Sequence, residues 1–231
     1  MNSTKRTART AGLLYLLVSI PAPFCLIYIP SVLIVLGDAT ATANKIRASE
    51  LLFRFGIAGE LICATGFIFV VFALYRLLKG VDQTQASLMV TLIVVSVPIW
   101  FLSVLAEIAA LTLLNPSHFL SVFSPPQLEA MAMTFLDLHG SGILLAEIFW
   151  GLWLFPFGAL VYKSGFLPRI LGVLLIIAGF GYLLISFTFL ILPAYGHIVS
   201  RFTNVLTAGE LPVVFWLLIV GAKDQSLDAA A

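Results

Sequence analysis

Long apolar runs alternate with short polar interruptions along this chain, and the runs have the length of a bilayer crossing. A spanning helix needs about 20 mostly apolar residues. Runs of that kind lie at about 10–36, 50–78, 85–114, 138–162, 168–192 and 205–222, which predicts six spans. Pro21, Pro23 and Pro30 fall in the first run. A helical proline removes a backbone hydrogen bond, so that span is expected to kink. Pro98, Pro156 and Pro212 lie inside the third, fourth and sixth spans. Each should free one carbonyl, of Val94, Leu152 and Ala208 respectively, and that of Ala208 is near enough to Glu210 to join a polar site.

The connections are unequal. Residues 80–84 and 164–166 read as tight turns, whereas 37–49, 115–137 and 193–204 are longer. Gly37-Asp38 followed by Ala-Thr-Ala-Thr-Ala reads as a capped helix leading into the second span. Ser124-Pro-Pro-Gln127 carries the marks of a helix start, with serine at the cap, proline in the first turn and glutamine three residues on. A surface helix from Pro125 to Leu136 is therefore predicted ahead of the fourth span. The fold class that follows is all-α: one domain over residues 1–231, a bundle of six transmembrane helices with short surface helices on the outer side.

Composition agrees with this reading. The chain is 61% hydrophobic and 10% charged, with a mean hydropathy of +1.11, where a soluble domain is nearer half apolar and a quarter charged. A net charge of +1 gives no footprint for a nucleic-acid partner. The basic start is followed by an apolar run longer than a signal peptide's core, without an Ala-x-Ala site, and reads as a retained first helix. Lys5, Arg6, Arg9, Arg76, Lys79, Lys163, Arg169 and Lys223 all fall on one side of the six-span topology; Lys45, Arg47, Arg54 and Arg201 do not. The positive-inside rule then puts both termini in the cytoplasm and the long connections outside.

Glycines recur at intervals of seven, as Gly59/Gly66, Gly151/Gly158 and Gly172/Gly179. Two turns apart, each pair shares a face and lets helices approach closely. Trp150, Trp153, Phe149, Phe155 and Phe157 crowd the fourth span; ring packing explains them better than a quinone slot. Cys25 and Cys63 sit in apolar segments without metal-type pairing, and buried free thiols are favoured over a disulfide between the first two spans. The halves show no similarity that would signal an inverted repeat.

Ionisable residues inside the spans change the picture most, because charge in hydrocarbon is costly and usually functional. Arg54 and Glu60 lie in the second span, Glu107 in the third, Glu147 in the fourth and Glu210 in the sixth, with His139 at the head of the fourth. His139, Ile143 and Glu147 share one face. Glu60 and Glu147 each lie 16 residues from an inner basic anchor, Arg76 and Lys163, or about 24 Å up a helix. Glu210 comes out slightly deeper, and Arg54, Glu107 and His139 nearer the outer boundary. Small or polar residues flank them: Gly56, Glu60 and Cys63; Ser96, Ser103, Glu107 and Ala110; Gly172, Gly179 and Ser186. The convergence predicts an outward-opening polar cavity.

Four carboxyls against one guanidinium leave that level strongly negative if all are ionised, which burial penalises. Arg54 is expected to pair with one carboxylate, and Glu60 and Glu147 to share a proton or a cation. His139, Glu147 and Glu60 are the candidate metal ligands, with Glu107 a further oxygen donor, although no compact motif such as His-Glu-x-x-His is present. Ser141 lies close to His139 but within no nucleophile motif. Asp137 and His139, two residues apart, point to different faces.

Ala8-Arg-Thr-Ala-Gly-Leu-Leu-Tyr, Asp137-Leu-His-Gly, Glu147-Ile-Phe-Trp-Gly-Leu-Trp-Leu-Phe-Pro-Phe-Gly and Ser164-Gly-Phe-Leu-Pro-Arg-Ile-Leu-Gly carry a resemblance. The chain resembles, over nearly its whole length, an uncharacterised family of bacterial multipass membrane proteins known as domain of unknown function 4386. The resemblance implies a bacterial inner-membrane protein and implies no activity or cofactor.

Three functional classes stay open. The first is binding or transport of a small cation, amine or lipid headgroup in the outer cavity. The second is an intramembrane metal-dependent hydrolase. The third is an accessory or sensory subunit whose polar cluster meets a partner helix. Lipid is the one partner common to all three, and an oligomer or partner subunit is compatible with each.

Overall fold

A computed structural model describes residues 3–223, and among these every regular element is helical and no strand is present. Six helical stretches are long and apolar enough to cross a membrane: Thr4–Leu33, Glu50–Leu78, Gln83–Leu114, Pro125–Lys163, Arg169–Ile191 and Pro193–Ile219. The chain is an all-α, polytopic membrane protein. Asp224, which the topology assigns to the inner side, lies outside the described residues.

The first stretch is broken as its prolines demand. Helix α1 (Ser3–Ser19) stops short of Pro21–Pro23; a π-helical turn, Phe24–Tyr28, follows, then a last helical turn at Ile29–Leu33. Helix α2 (Ala39–Ala48) is capped by Asp38, whose carboxylate accepts from the Ala41 amide at 2.8 Å. The left-handed Gly37, at φ 76°, turns the chain into that cap. Helix α3 (Glu50–Leu78) and helix α4 (Gln83–Leu114) follow, Pro98 lying within α4.

Helix α5 (Pro125–Lys163) fuses the surface extension and the fourth span into 39 continuous residues, with Pro156 inside. Its start is capped as the motif predicts, the Ser124 amide and hydroxyl both donating to the Gln127 side-chain oxygen at 2.8 and 3.0 Å. Gly165 (φ 72°) turns the chain between α5 and helix α6, Arg169–Ile191.

The sixth span departs from expectation. Residues 193–204 are not a loop: helix α7 (Pro193–Thr207) occupies them and leads through a 3₁₀ turn, Ala208–Glu210, into helix α8, Leu211–Ile219. The stretch thus passes through a tightened turn just ahead of Pro212, but the Ala208 carbonyl is not free for a polar site. It accepts from the Leu211 amide, since a tightened turn satisfies carbonyls that a proline would orphan.

The described segments fall into two compact units. The first comprises α1 through Leu17, Gly66–Ser96 and the chain from Leu145 onward. Its core holds an aromatic cluster. The Tyr15 ring meets Phe67 edge-on at 5.6 Å, Phe67 meets Trp153 at 6.0 Å and 87°, and Trp153 stacks on Phe157 at 5.2 Å. Edge and offset geometries suit the ring quadrupoles, so the aromatics of the fourth span do serve packing. In the same unit Gly151 faces Gly179 and Gly158 faces Gly172, across α5 and α6.

The second unit comprises Val18–Thr65 and Val97–Leu144. Arg47 on α2 donates to Glu129 on α5 at 2.8 Å, and the Thr40 hydroxyl donates to the same carboxylate at 2.8 Å. This ties α2 to the start of α5. Cys25 and Cys63 are buried and free; the Cys63 thiol lies 3.5 Å from the Val18 carbonyl.

Candidate functional site

Three of the sequence-derived site residues meet inside the second unit. Helix α3 brings Glu60, α4 brings Glu107 and α5 brings His139, and all three are buried. One nitrogen or oxygen of each lies within 4.8 Å of the others. His139 Nε2 is 3.2 Å from Glu60 Oε2, and Nδ1 is 3.9 Å from Glu107 Oε1. The imidazole therefore stands between two carboxylates, one at each ring nitrogen. Only a doubly protonated ring donates at both ends.

Local sequence explains the approach. A Cβ at Gly142 would collide with the Ser103 hydroxyl and sit 2.9 Å from its Cβ. Glycine at 142 thus lets α5 come close to α4 one turn below Glu107. His139 lies three residues before Gly142, on the same face, so the close approach delivers its ring to the carboxylates. Asp137 is exposed while His139 is buried, as the two-residue offset requires.

A fourth member was not anticipated. Trp100 Nε1 donates to Glu60 Oε2 at 2.8 Å. Its signal was present in the sequence: Ser96, Trp100, Ser103 and Glu107 follow one another at helical spacing, and the tryptophan interrupts a polar stripe. Glu60 Oε2 thus faces an indole N–H and an imidazole nitrogen. Glu107 is less well served, since its Oε2 is buried without a hydrogen-bond partner. Among the described residues no lysine or arginine pairs with Glu60 or Glu107. With both carboxyls ionised and the ring neutral the cluster would hold two uncompensated charges, a state that burial opposes strongly. A proton on the ring and one on a carboxyl bring it to neutrality.

The other sequence-derived residues have other partners. Arg54 is exposed and pairs with Glu50, one turn away on α3, at 2.7 Å. Its carboxylate is thus not one of the four intramembrane acids, because a neighbour at i−4 is within reach without desolvating the guanidinium. Glu147 and Glu210 belong to the first unit. There the Ser186 hydroxyl lies 3.4 Å from Glu147 Oε2 and the Tyr182 hydroxyl 3.4 Å from Glu210 Oε2. Tyr182 and Ser186 are one turn apart on α6, so that unit carries a second, looser string of polar groups.

The donor set Glu60, Glu107 and His139 has the composition of a metal site with an open position, and these are the groups that would ligate an ion. Its present spacing is wide. Ligands about 2.1 Å from a tetrahedral ion sit about 3.4 Å apart; the three atoms here lie within 4.8 Å of one another, and His139 Nδ1 is 3.9 Å from Glu107 Oε1. A metal would need one carboxylate to swing inward. A groove of about 730 Å³ in this unit is lined by Leu61, Pro98, Phe101, Leu105 and Ile108 among others, all apolar, and neither Glu60, Glu107 nor His139 borders it.

Comparison with known proteins gives a family without an assigned activity. A relative described as "Uncharacterized protein" from Archaeoglobus fulgidus (strain ATCC 49558 / DSM 4304 / JCM 9628 / NBRC 100126 / VC-16) is 40% identical over 79 residues, which is 34% of this chain. The chain covers 46% of the length of that relative. No solved structure matches significantly. The family described as "Domain of unknown function (DUF4386)" matches residues 10–221. With nearly its whole length matched and six helices able to span a membrane, the chain belongs to this family of multipass membrane proteins.

Proposed function

We propose that the protein binds or transports a small cation, exchanging it for protons held by Glu60, His139 and Glu107. The observation that carries this reading is the imidazole set between two buried carboxylates that pair with no lysine or arginine among the described residues. Such a cluster must hold either protons or a cation. It changes its charge with small adjustments of side chains rather than of helices. Histidine suits the task because its charge changes near neutral pH. The unpartnered Oε2 of Glu107 is the oxygen left over for an incoming ligand.

In this reading both termini face the cytoplasm of a bacterial inner membrane, and the site is reached from the outer side through a polar opening. The basic asymmetry of the sequence supports the orientation. Arg54, in the same unit, would then be a secondary charge near the site. Glu147 and Glu210 lie 3.4 Å from the Ser186 and Tyr182 hydroxyls respectively.

The test is the melting temperature of detergent-purified protein across pH and with added sodium, manganese, zinc or tetramethylammonium ions. A ligand that binds only the folded state at 100 times its Kd adds about 2.7 kcal/mol. The wild type should show a cation-dependent rise that fades at low pH, and Glu107→Gln should abolish it. Identical profiles for the two proteins would refute the proposal. A second reading, a metal-dependent hydrolase, draws on the two-carboxylate, one-imidazole donor set. Tight stoichiometric zinc or manganese in the purified protein would favour it.

A further inference from the structure

We propose that the basic end of the first unit holds an anionic phospholipid, with its phosphate between Arg6 and Arg76 and its first acyl carbons along Leu14, Phe69 and Phe72. All five residues line one groove of about 360 Å³ within that unit. The site is independent of the carboxylate cluster, which lies in the other unit.

The groove is polar at one end and apolar at the other. On α1, Arg6 and Leu14 are eight residues apart, so they share a face about 12 Å long. On α3, Phe69, Phe72 and Arg76 follow at three- and four-residue spacing, which sets the two phenylalanines about 6–10 Å from Arg76 along the helix axis. The two helices enter the membrane from the same basic side, so both arginines stand at the mouth and the apolar groups lie below. That is the order of headgroup, glycerol and acyl chain in a phospholipid.

The charge is uncompensated. None of the ion pairs among the described residues uses Arg6 or Arg76, and both side chains are exposed. By contrast, Arg9 on the same helix donates to the Ile219 carbonyl at 3.0 Å and is engaged within the fold. Phe69 and Phe72 are 61% and 48% exposed, available for contact with a chain. Two free guanidinia favour a headgroup with net negative charge over a zwitterionic one, whose own cation already balances its phosphate. Arginine suits phosphate because its fork donates two parallel hydrogen bonds. Basic grooves between helices at the cytoplasmic face recognise anionic headgroups on this principle.

The experiment is native mass spectrometry of the detergent-purified full chain offered equal phosphatidylglycerol and phosphatidylcholine. The wild type should retain phosphatidylglycerol preferentially. Arg6→Gln and Arg76→Gln should each weaken retention about fivefold, the factor expected per basic residue near the surface, and the double variant should lose the preference. Lys79→Gln, a change at the same end but outside the groove, should keep it. The proposal is overturned by a preference that survives in the double variant or an equal loss in Lys79→Gln. Displacement of the lipid by millimolar inorganic phosphate also overturns it, assigning the groove to free phosphate.

Discussion

Replacing Gly158 with alanine should separate α5 from α6 and lower stability by about 1–2 kcal/mol. A Cβ built at Gly158 stands 2.6 Å from the Gly172 carbonyl oxygen, 2.8 Å from Ile176 Cγ1 and 3.3 Å from the Ile176 amide nitrogen. A Cβ at Gly172 stands 2.5 Å from the Gly158 oxygen and 2.9 Å from the Tyr162 amide nitrogen. Most of these atoms are backbone, so no rotamer change relieves the contact. Ordinary contact begins near 3.4 Å, so the helices must part locally by about 0.8 Å, a gap that forfeits a quarter to a half of the dispersion between facing atoms. Overpacking of this kind costs about 1–3 kcal/mol. Alanine's better helix propensity returns up to about 1 kcal/mol, and the clash prevails. Gly140 is the control: it is helical and nothing lies within 4 Å of a Cβ there, so Gly140→Ala should be neutral or stabilising by a few tenths of a kcal/mol to about 1 kcal/mol. The double variant Gly158→Ala/Gly172→Ala should cost less than the sum of its parts, because the first change opens the space that the second needs. The assay is unfolding by sodium dodecyl sulfate titrated into mixed micelles, followed by tryptophan fluorescence. If Gly158→Ala matched the wild type, or lost no more than Gly140→Ala, the glycine contact would not be what sets the spacing of these helices.

Trp100→Phe removes the indole donor from Glu60 and should cost about 1–3 kcal/mol, seen in the same titration, while weakening the cation-dependent rise in melting temperature. Glu129→Ala breaks the contacts to Arg47 and Thr40 and should destabilise the protein by about 1–3 kcal/mol, measured by thermal melting; an unchanged melt would mean α2 is held otherwise. Arg54→Ala, charge balance among the intramembrane acids notwithstanding, should leave the melting temperature nearly unchanged, because the exposed guanidinium pairs only with a half-buried neighbour one turn away. In a cysteine-free variant within spheroplasts, a single cysteine at Ser121 should react with an impermeant thiol reagent and one at Gln83 should not; the reverse would invert the proposed topology.

The spans were legible because hydropathy is a one-dimensional signal: Glu50 to Leu78 stays mostly apolar despite Arg54 and Glu60, and the helix has those bounds. The sixth span was misjudged because His197, Ser200, Arg201 and Asn204 look like a loop by composition. Their spacing leaves Ile198, Phe202 and Val205 on an apolar face, which a count of periodicity would have found. Residue counting gives an expected depth for each acid, but no azimuth. Counting residues from Arg76 says how high Glu60 stands and nothing about which helix it faces. That needs the packing of Gly142 against Ser103, a contact between residues 39 apart in sequence. Charge counting overlooked Trp100 because an indole carries no charge, although its N–H donates to Glu60 at 2.8 Å.

The order in which the cluster's members occur along the chain also bears on biogenesis. Ribosomes add about 5–20 residues per second, so Glu60 leaves the exit tunnel several seconds before Trp100, its partner 40 positions later. Helices α3 and α4, joined by a four-residue turn at 79–82, enter the insertion machinery in quick succession, and Trp100 arrives with the second. Glu107 also waits, because His139 lies 32 positions later and emerges roughly 2–6 s afterwards. During that interval a nascent helix carries a carboxyl with no partner of its own. It must lodge at the aqueous channel of the translocase, or protonated in lipid, until α5 is made. A ribosome stalled between these codons would strand the chain in the form most exposed to membrane quality-control proteases.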